Sequence, residues 1–423
     1  MVRAERGVQM FDYMMNEKQL SLRDEVRGLV EWVPRQMVLD MDADKIKFPE
    51  EFMREAGRRK LMGCRYPQKW GGREMDWETT CMVMEEVGTL GYIFACIFGI
   101  NGELVADAVV QHGTDEQKER YVVPTLQGKK FAAECLTEPR GGSDFFGTTT
   151  TAEDRGDHFL INGEKRFIVG AESADYFMVY ALTDADAEPQ KSLTCFLVDR
   201  GPGVSAEYIY RLMGCRGGGA GRLSFRDVKV PRENVLGEVN GAYAIFNTMM
   251  IPERLGTAAM TVGAARPAVE IATAYSSRRE AFGHTINEFQ GVSFQIADAV
   301  TLLDASRAMV NATARAVDAG VHPHRIRRMV SETKKFVTES CQEAVHKAMQ
   351  VMGGIGYTDV YPLERTVRDL RLSSIWTGTN EVMSMIVAGE WYREHHSRAG
   401  EAARDFEADA TAAMEDEEKF LGE

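Results

Sequence analysis

The chain has 423 residues, 44% hydrophobic and 27% charged. That balance excludes wholesale disorder and, at ~150 residues per domain, predicts two to three domains. With 64 acidic against 50 basic side chains the net charge is −14, which argues against a nucleic-acid binder and against adhesion to an anionic membrane, since both need a basic face. No apolar run approaches the ~18 residues that span a bilayer; the longest, residues 90–100 (LGYIFACIFGI), reads as a buried core helix. The opening MVRAERGVQMFDYMM has neither a continuous apolar stretch nor a small-residue cleavage site, so no secretory signal is expected and the chain is assigned to the cytoplasm. Seven scattered cysteines suggest single buried thiols in a reducing compartment. There is no CxxC, and His322, His324, His395 and His396 lack companions, so no metal site is expected.

Residues 1–130 read as helix after helix. Leu20, Leu22, Val26, Leu29, Val30 and Val33 recur at helical spacing through 17–33, with charges between them. Pro49, Pro67 with Gly71-Gly72, and Gly113-Thr114-Asp115 mark helix ends and turns. Over 131–240 the texture changes to short β-branched and aromatic runs: HFLINGEKRFIV, DYFMVYAL, SLTCFLVD and RLSFRDVKV. Helices return over 241–395, where 325–352 is amphipathic and stops at Gly353-Gly354. Residues 396–423 form an acidic tail, read as a solvated helix. The order helical block, β block, helical block places the chain in the α+β class.

Two glycine-rich stretches mislead. The glycines of 216–221 precede a strand (223–230) instead of following one and opening a helix, so they make a flexible loop and no dinucleotide fingerprint. Gly128-Lys129-Lys130 lacks the flanking residues of a P-loop. The segment 133–144, AECLTEPRGGSD, is different: it sets Thr137, Ser143 and the backbone N–H groups of a glycine loop at the junction of the helical and β blocks. Such a loop can bind a heterocycle and a pyrophosphate without positive charge. Three further segments join it: Arg279 and Phe282 followed by Gln290, the helix end Gln350–Gly354, and Trp376-Thr377-Gly378-Thr379-Asn380-Glu381.

Together these motifs resemble the acyl-CoA dehydrogenases, in the family's order and over about 16–392. TEPRGGSD is similar to the family's TEPxAGSD, and MGCRGGGAGRLSFRDVKVPRENVLGE to its MGxRxSxTxxLxFxDVxVPxxNxLG segment. The resemblance implies an N-terminal helical domain (1–130), a central β-domain (131–240), a C-terminal four-helix bundle (241–395) and a homodimer or homotetramer with FAD between subunits. It implies that Leu136, Thr137 and Ser143 contact FAD and that Phe167, Ile168 and Val169 lie against its isoalloxazine. Val169 stands where the family commonly has a hydroxyl. Arg279, Phe282 and Gln290, with Gln350, Gly353 and Gly354, are implied to reach the partner subunit's FAD, and Thr379 and Glu381 to lie beside the adenosine half. Ser143 and Arg254 are implied on the acyl-CoA side, and an electron-transfer flavoprotein as electron acceptor.

Many members carry their catalytic Glu just before the Gly-Thr pair; here Thr377 stands there and cannot serve as a base. Members similar to isovaleryl- and long-chain acyl-CoA dehydrogenases carry it on an earlier helix, before Arg-Leu, the place of Glu253 in Pro252-Glu253-Arg254-Leu255. Read on its own, Pro-Glu is a common helix start; with Thr377 in the usual site, Glu253 becomes the expected base for the α-proton. The backbone N–H of Thr377 remains as a donor to the thioester oxygen. The apolar helix at 92–102, with Ala95 where glutaryl-specific members place an Arg, is expected to exclude a charged acyl tail. Phe94, Phe98 and Trp376 suit a short, branched or cyclic acyl group, and equally suit core packing. Two alternatives stay open: an enoyl-CoA reductase on the same fold, and an acyl-CoA-binding flavoprotein without turnover.

Overall fold

The structure is a computed structural model and describes residues 12–398; the acidic tail expected over 396–423 lies almost wholly outside them. Helix α1 (Glu17–Trp32) starts where Asn16 accepts the Gln19 N–H and the Gln19 side chain accepts the Asn16 N–H, a capping box. Helices α2 (Arg35–Asp42) and α3 (Glu50–Arg58) follow, and α4 (Trp77–Gly88) begins at Asp76, whose carboxylate accepts the Thr79 N–H. Helix α5 (Tyr92–Gly99) continues through a π turn (Ile100–Val105) into α6 (Ala106–His112). This corrects the expectation that nothing reaches bilayer length. Asn101, Gly102 and Glu103 interrupt the apolar run, but the helix carries on through them. Its 21 residues are long and apolar enough to cross a membrane, by length and composition, yet 83% of that window is buried inside the protein. The short α7 (Asp115–Gln117) and α8 (Val123–Leu126) lead into the sheet.

Eight strands form one sheet: β1 (Ala132–Cys135), β2 (Thr151–Asp154), β3 (His158–Ile168), β4 (Tyr176–Leu182), β5 (Leu193–Asp199), β6 (Val204–Ile209), β7 (Gly221–Pro231) and β8 (Val235–Leu236). Their order is β6-β7-β3-β2-β4-β5-β8, with β1 parallel to β4. Strand side chains alternate between faces. Phe177, Val179, Phe196 and Phe225 fill a core of the sheet's own, whereas Tyr176, Met178, Tyr180 and Leu197 join the core shared with the helices. A strand buried on both faces explains why 176–182 is continuously apolar. The glycine loop expected to be flexible is packed. Gly219 has φ +59°, and a Cβ there would stand 2.9 Å from the Lys47 carbonyl, so only glycine lets this loop press on the first helical block.

Helix α9 (Ala242–Ser276) is 35 residues long. A hairpin of β9 (Glu280–Ala281) and β10 (His284–Thr285) follows, then α10 (Gln290–Asp318), α11 (Pro323–Met352), α12 (Leu363–Leu370) and α13 (Asn380–Ser397). Helix α9 packs on α4, α10 and α11, and so joins the two helical blocks. Arg266 on α9 locks that joint: its guanidinium lies 3.0 Å from Glu85 and 2.9 Å from Glu86 of α4, while Arg307 of α10 reaches Glu85 at 2.7 Å. Removing one partner of a buried ion pair leaves an uncompensated charge. Arg266→Met is therefore expected to cost about 3 kcal/mol or more, read as a lower urea midpoint with FAD bound.

Candidate active site

The loop at 137–144 is held from beneath by a buried ion pair. The Lys165 ammonium, fully enclosed, donates to Glu138 Oε1 at 2.9 Å and to the Leu136 carbonyl at 3.2 Å. The Glu138 carboxylate also accepts the Thr149 N–H and hydroxyl (2.7 and 2.6 Å) and the Thr150 N–H (2.9 Å). Burial alone would raise the Glu138 carboxyl, but the Lys165 charge and these donors outweigh it and hold it at about 2. The Arg166 N–H meets the Thr137 carbonyl at 2.9 Å, so the start of the loop is pinned to β3. Beside it β3 slips register against β7 between Lys165 and Ile168. Phe167 sits in that slip with φ +59°, its ring 46% exposed, while Ile168 is buried. Thr137 is half-buried, and Ser143 faces solvent from the loop.

On the helical side, Pro252 has no N–H to offer the Thr248 carbonyl, and Glu253 follows directly. Burial pushes the Glu253 carboxyl up to about 7, against the pull of Arg254 and Lys334. Arg254 is buried and donates to the Ser331 hydroxyl of α11 at 3.2 Å. Lys334, fully enclosed, donates to the Gly378 carbonyl at 2.8 Å and to Asn380 Oδ1 at 2.9 Å. These contacts bring the turn 376–379 against α9: a Cβ on Gly378 would stand 3.9 Å from Arg254 Nη2. Thr377 lies in that turn at φ +57°, a left-handed conformation costly for a β-branched residue, and its hydroxyl is buried without a partner. Thr379 caps α13 by accepting the Val382 N–H, and the exposed Glu381 carboxyl at the same helix end is lowered first by its own backbone N–H and then by the Thr379 hydroxyl. Trp376 donates to the buried Tyr92 hydroxyl at 2.8 Å. Phe94 and Phe98 are fully enclosed and pack on Phe52, with centroids 5.2 and 6.5 Å away; this packing places both in the core of the first helical block.

The remaining predicted residues gather elsewhere. Arg279, Gly353 and Gly354, with Tyr275 and Tyr361, line an open cleft of about 600 Å³ at the far end of α9. Gln290 and Gln350 are exposed, and Phe282 is 94% exposed. Three groups in or beside the site escaped the sequence reading: Lys165, Lys334 and Glu134. Lys334 looks like one of a solvent-facing pair with Lys335, and only the fold shows that it is enclosed. Glu134 was legible as a lone acid in the apolar stretch Phe131–Cys135.

Models of the N-terminal, middle and C-terminal domains of acyl-CoA dehydrogenases match residues 16–129, 133–228 and 240–391, so the chain belongs to the acyl-CoA dehydrogenase family. It is 33% identical over 375 residues to a subunit of the caffeyl-CoA reductase–Etf complex of Acetobacterium woodii, covering 88% of this chain and 98% of that one. It is 31% identical over 383 residues to a short-chain specific acyl-CoA dehydrogenase of Clostridium acetobutylicum, covering 90% and 100%. It is 34% identical over 343 residues to a 3-(aryl)acrylate reductase of Clostridium sporogenes, covering 81% and 90%. The structure of butyryl-CoA dehydrogenase from Megasphaera elsdenii superposes with a TM-score of 0.85 at 30% identity, over 90% of this chain and 99% of that one. Proteins of this family are FAD-dependent oxidoreductases. The residues present suit the cofactor. Phe167 is partly exposed beside the glycine loop, with Arg166 over its ring and Tyr210 against it, and Gly141 has nothing within 4 Å of a would-be Cβ.

The Glu138 carboxyl, at about 2 in the fold against 4.5 ordinarily, stabilises the protein fully above pH ~4.5, and that contribution is lost as pH falls towards 2. Glu138→Gln is therefore expected to cost about 3–5 kcal/mol at pH 7 and much less at pH 3, measured by urea unfolding at both pH values.

Proposed function

We propose that the protein dehydrogenates an acyl-CoA thioester between its α and β carbons, with Glu253 as the base. The observation that carries this reading is the Glu253 carboxylate itself. It is held in a poorly solvated place on α9, next to the turn that bears Thr377, with its carboxyl raised to about 7. A carboxyl poised there is about half ionised at neutral pH and basic enough to take a weakly acidic α-proton. The thioester oxygen gains negative character as that proton leaves, and the Thr377 N–H, fixed by a left-handed backbone, is the donor assigned to it. FAD, when bound, accepts the β-hydride. Arg254 and Lys334 keep the base and the turn in register through Ser331 and Gly378.

Leu136, Thr137, Ser143, Phe167, Ile168 and Val169 are assigned to the cofactor from one subunit. Arg279, Phe282, Gln290, Gln350, Gly353 and Gly354 are assigned from the other subunit of a dimer or tetramer, and Thr379 and Glu381 beside the adenosine half. The apolar α5, with Ala95 fully buried, supports an uncharged short, branched or cyclic acyl group under Trp376. An electron-transfer flavoprotein is the proposed acceptor. A second reading, the reverse reduction of an enoyl-CoA, draws support from the two relatives named as reductases.

Anaerobic titration of the oxidised protein against a panel of acyl-CoAs tests both directions. One saturated acyl-CoA is expected to bleach the flavin. If none does, while an enoyl-CoA reoxidises the dithionite-reduced protein, the reaction runs the other way. Glu253→Gln is expected to bind the same thioester and react about 10²–10⁴-fold more slowly. Adding Thr377→Glu to that variant should return part of the activity, because the turn lies against α9 beside Arg254. Since only the ionised carboxylate is a base, wild-type kcat/KM is expected to fall as pH drops through about 7.

A further inference from the structure

A second buried carboxylate lies within electrostatic reach of Glu253. Glu134 is the third residue of β1, in parallel register with Met178 of β4. Its strand neighbours Ala133 and Cys135 point into the sheet's own core, as do Phe177 and Val179; Glu134 therefore shares the opposite face with Met178 and Tyr180. That face is covered by α9. Phe145 meets Tyr180 edge-on at 5.3 Å and stacks flat on Phe246 at 4.0 Å. Phe246 and Glu253 lie seven residues apart on α9, on the same side of the helix. The sheet face and the helix face thus enclose Glu134, Tyr180 and Glu253 together.

Two atoms of this group are buried and lack any partner: Glu134 Oε1 and the Tyr180 hydroxyl. A bare carboxylate oxygen in such a place is strongly disfavoured unless it carries a proton or meets a donor. Lys165 is bonded to Glu138, and Lys334 to Gly378 and Asn380, while Arg254 meets Ser331 through one Nη, keeps a buried Nε without a partner and pulls on Glu253. We propose that Glu134 is a positioning residue of the active site, which keeps its proton while Glu253 is charged and donates it in a hydrogen bond that aims the Glu253 carboxylate. The charges facing Glu134 agree with this. Burial raises its carboxyl well above the ordinary range and Glu253 raises it further, with only Lys165 opposing. Tyr180, raised by burial, Cys195 and both carboxyls, stays a neutral phenol. Two carboxyls that share one site keep a proton between them. The catalytically competent form is then the singly protonated pair.

This inference rests on Glu253 as the base, and its test separates the two. Infrared spectra of the holoenzyme at pH 8 need no turnover. The difference between wild type and Glu134→Gln is expected to show the carbonyl band of a protonated carboxylic acid; a carboxylate band in its place overturns the proposal whatever the enzyme does. With a bleaching acyl-CoA in hand, Glu134→Gln, which still donates a hydrogen bond, is expected to keep kcat within a few-fold and the acid limb of its pH profile unmoved. Glu134→Leu, which cannot donate, should lose about tenfold or more in kcat and shift that limb upward by about one unit. A Leu variant with wild-type kcat and pH profile would sink the idea.

Discussion

The pair Lys165–Glu138 sets the floor of the site. An enclosed ammonium is tolerated only when a carboxylate and further acceptors surround it, and here the carboxylate comes from the loop that opens after β1. Glu138 collects the Thr149 and Thr150 N–H groups as well, so one side chain fixes where the loop leaves the sheet and where it rejoins it. The tip, Gly141 and Gly142, is left open to solvent, its two ends secured. A backbone that must present N–H groups to a ligand needs this combination of an exposed apex and an immobile base.

Above that floor the same desolvation acts with the opposite sign. Glu138 is surrounded by donors and held at about 2; Glu253 lacks such donors and rises to about 7. Two glutamates in one domain-sized neighbourhood therefore differ by several units because of what each is given to bond. The first is structural because its charge is fully matched. The second is available for chemistry because its charge is poorly matched, and the fold offsets that with the packing of a 35-residue helix.

Much of this was legible in the sequence, in proportion to how local the signal was. The strands at 158–168, 176–182, 193–199 and 221–231 follow from short β-branched and aromatic runs, and α1 from apolar residues at helical spacing over 17–33. Glu253 was singled out through resemblance, by the conjunction of Thr377 in one place and Pro-Glu-Arg-Leu in another, and its place as base stays a proposal. The buried cations were not legible. Lys165 sits in a strand segment, NGEKRF, whose polar residues read as a solvent face, and its partner lies 27 residues away. Lys334 meets Gly378 across 44 residues. Such pairings exist only after the sheet and the bundle have closed, so no spacing rule reports them. The helix through 92–112 was underestimated for a related reason: its polar positions are masked by burial, not by a helix end.

The proposed position of the base on α9 also has a physical reading. Arg254 of α9 and the carbonyl of Gly378, reached through Lys334, hold the 376–379 turn against the helix. The N–H of residue 377 belongs to the backbone and persists whichever side chain stands there. With the base proposed on the helix and not on the turn, that N–H keeps its place. In the proposed mechanism the two halves of the chemistry, proton removal and charge stabilisation, fall to separate elements that need only stay in contact. The left-handed backbone at Thr377 is the cost of that contact, and it falls on a β-branched residue with nothing for its hydroxyl to bond.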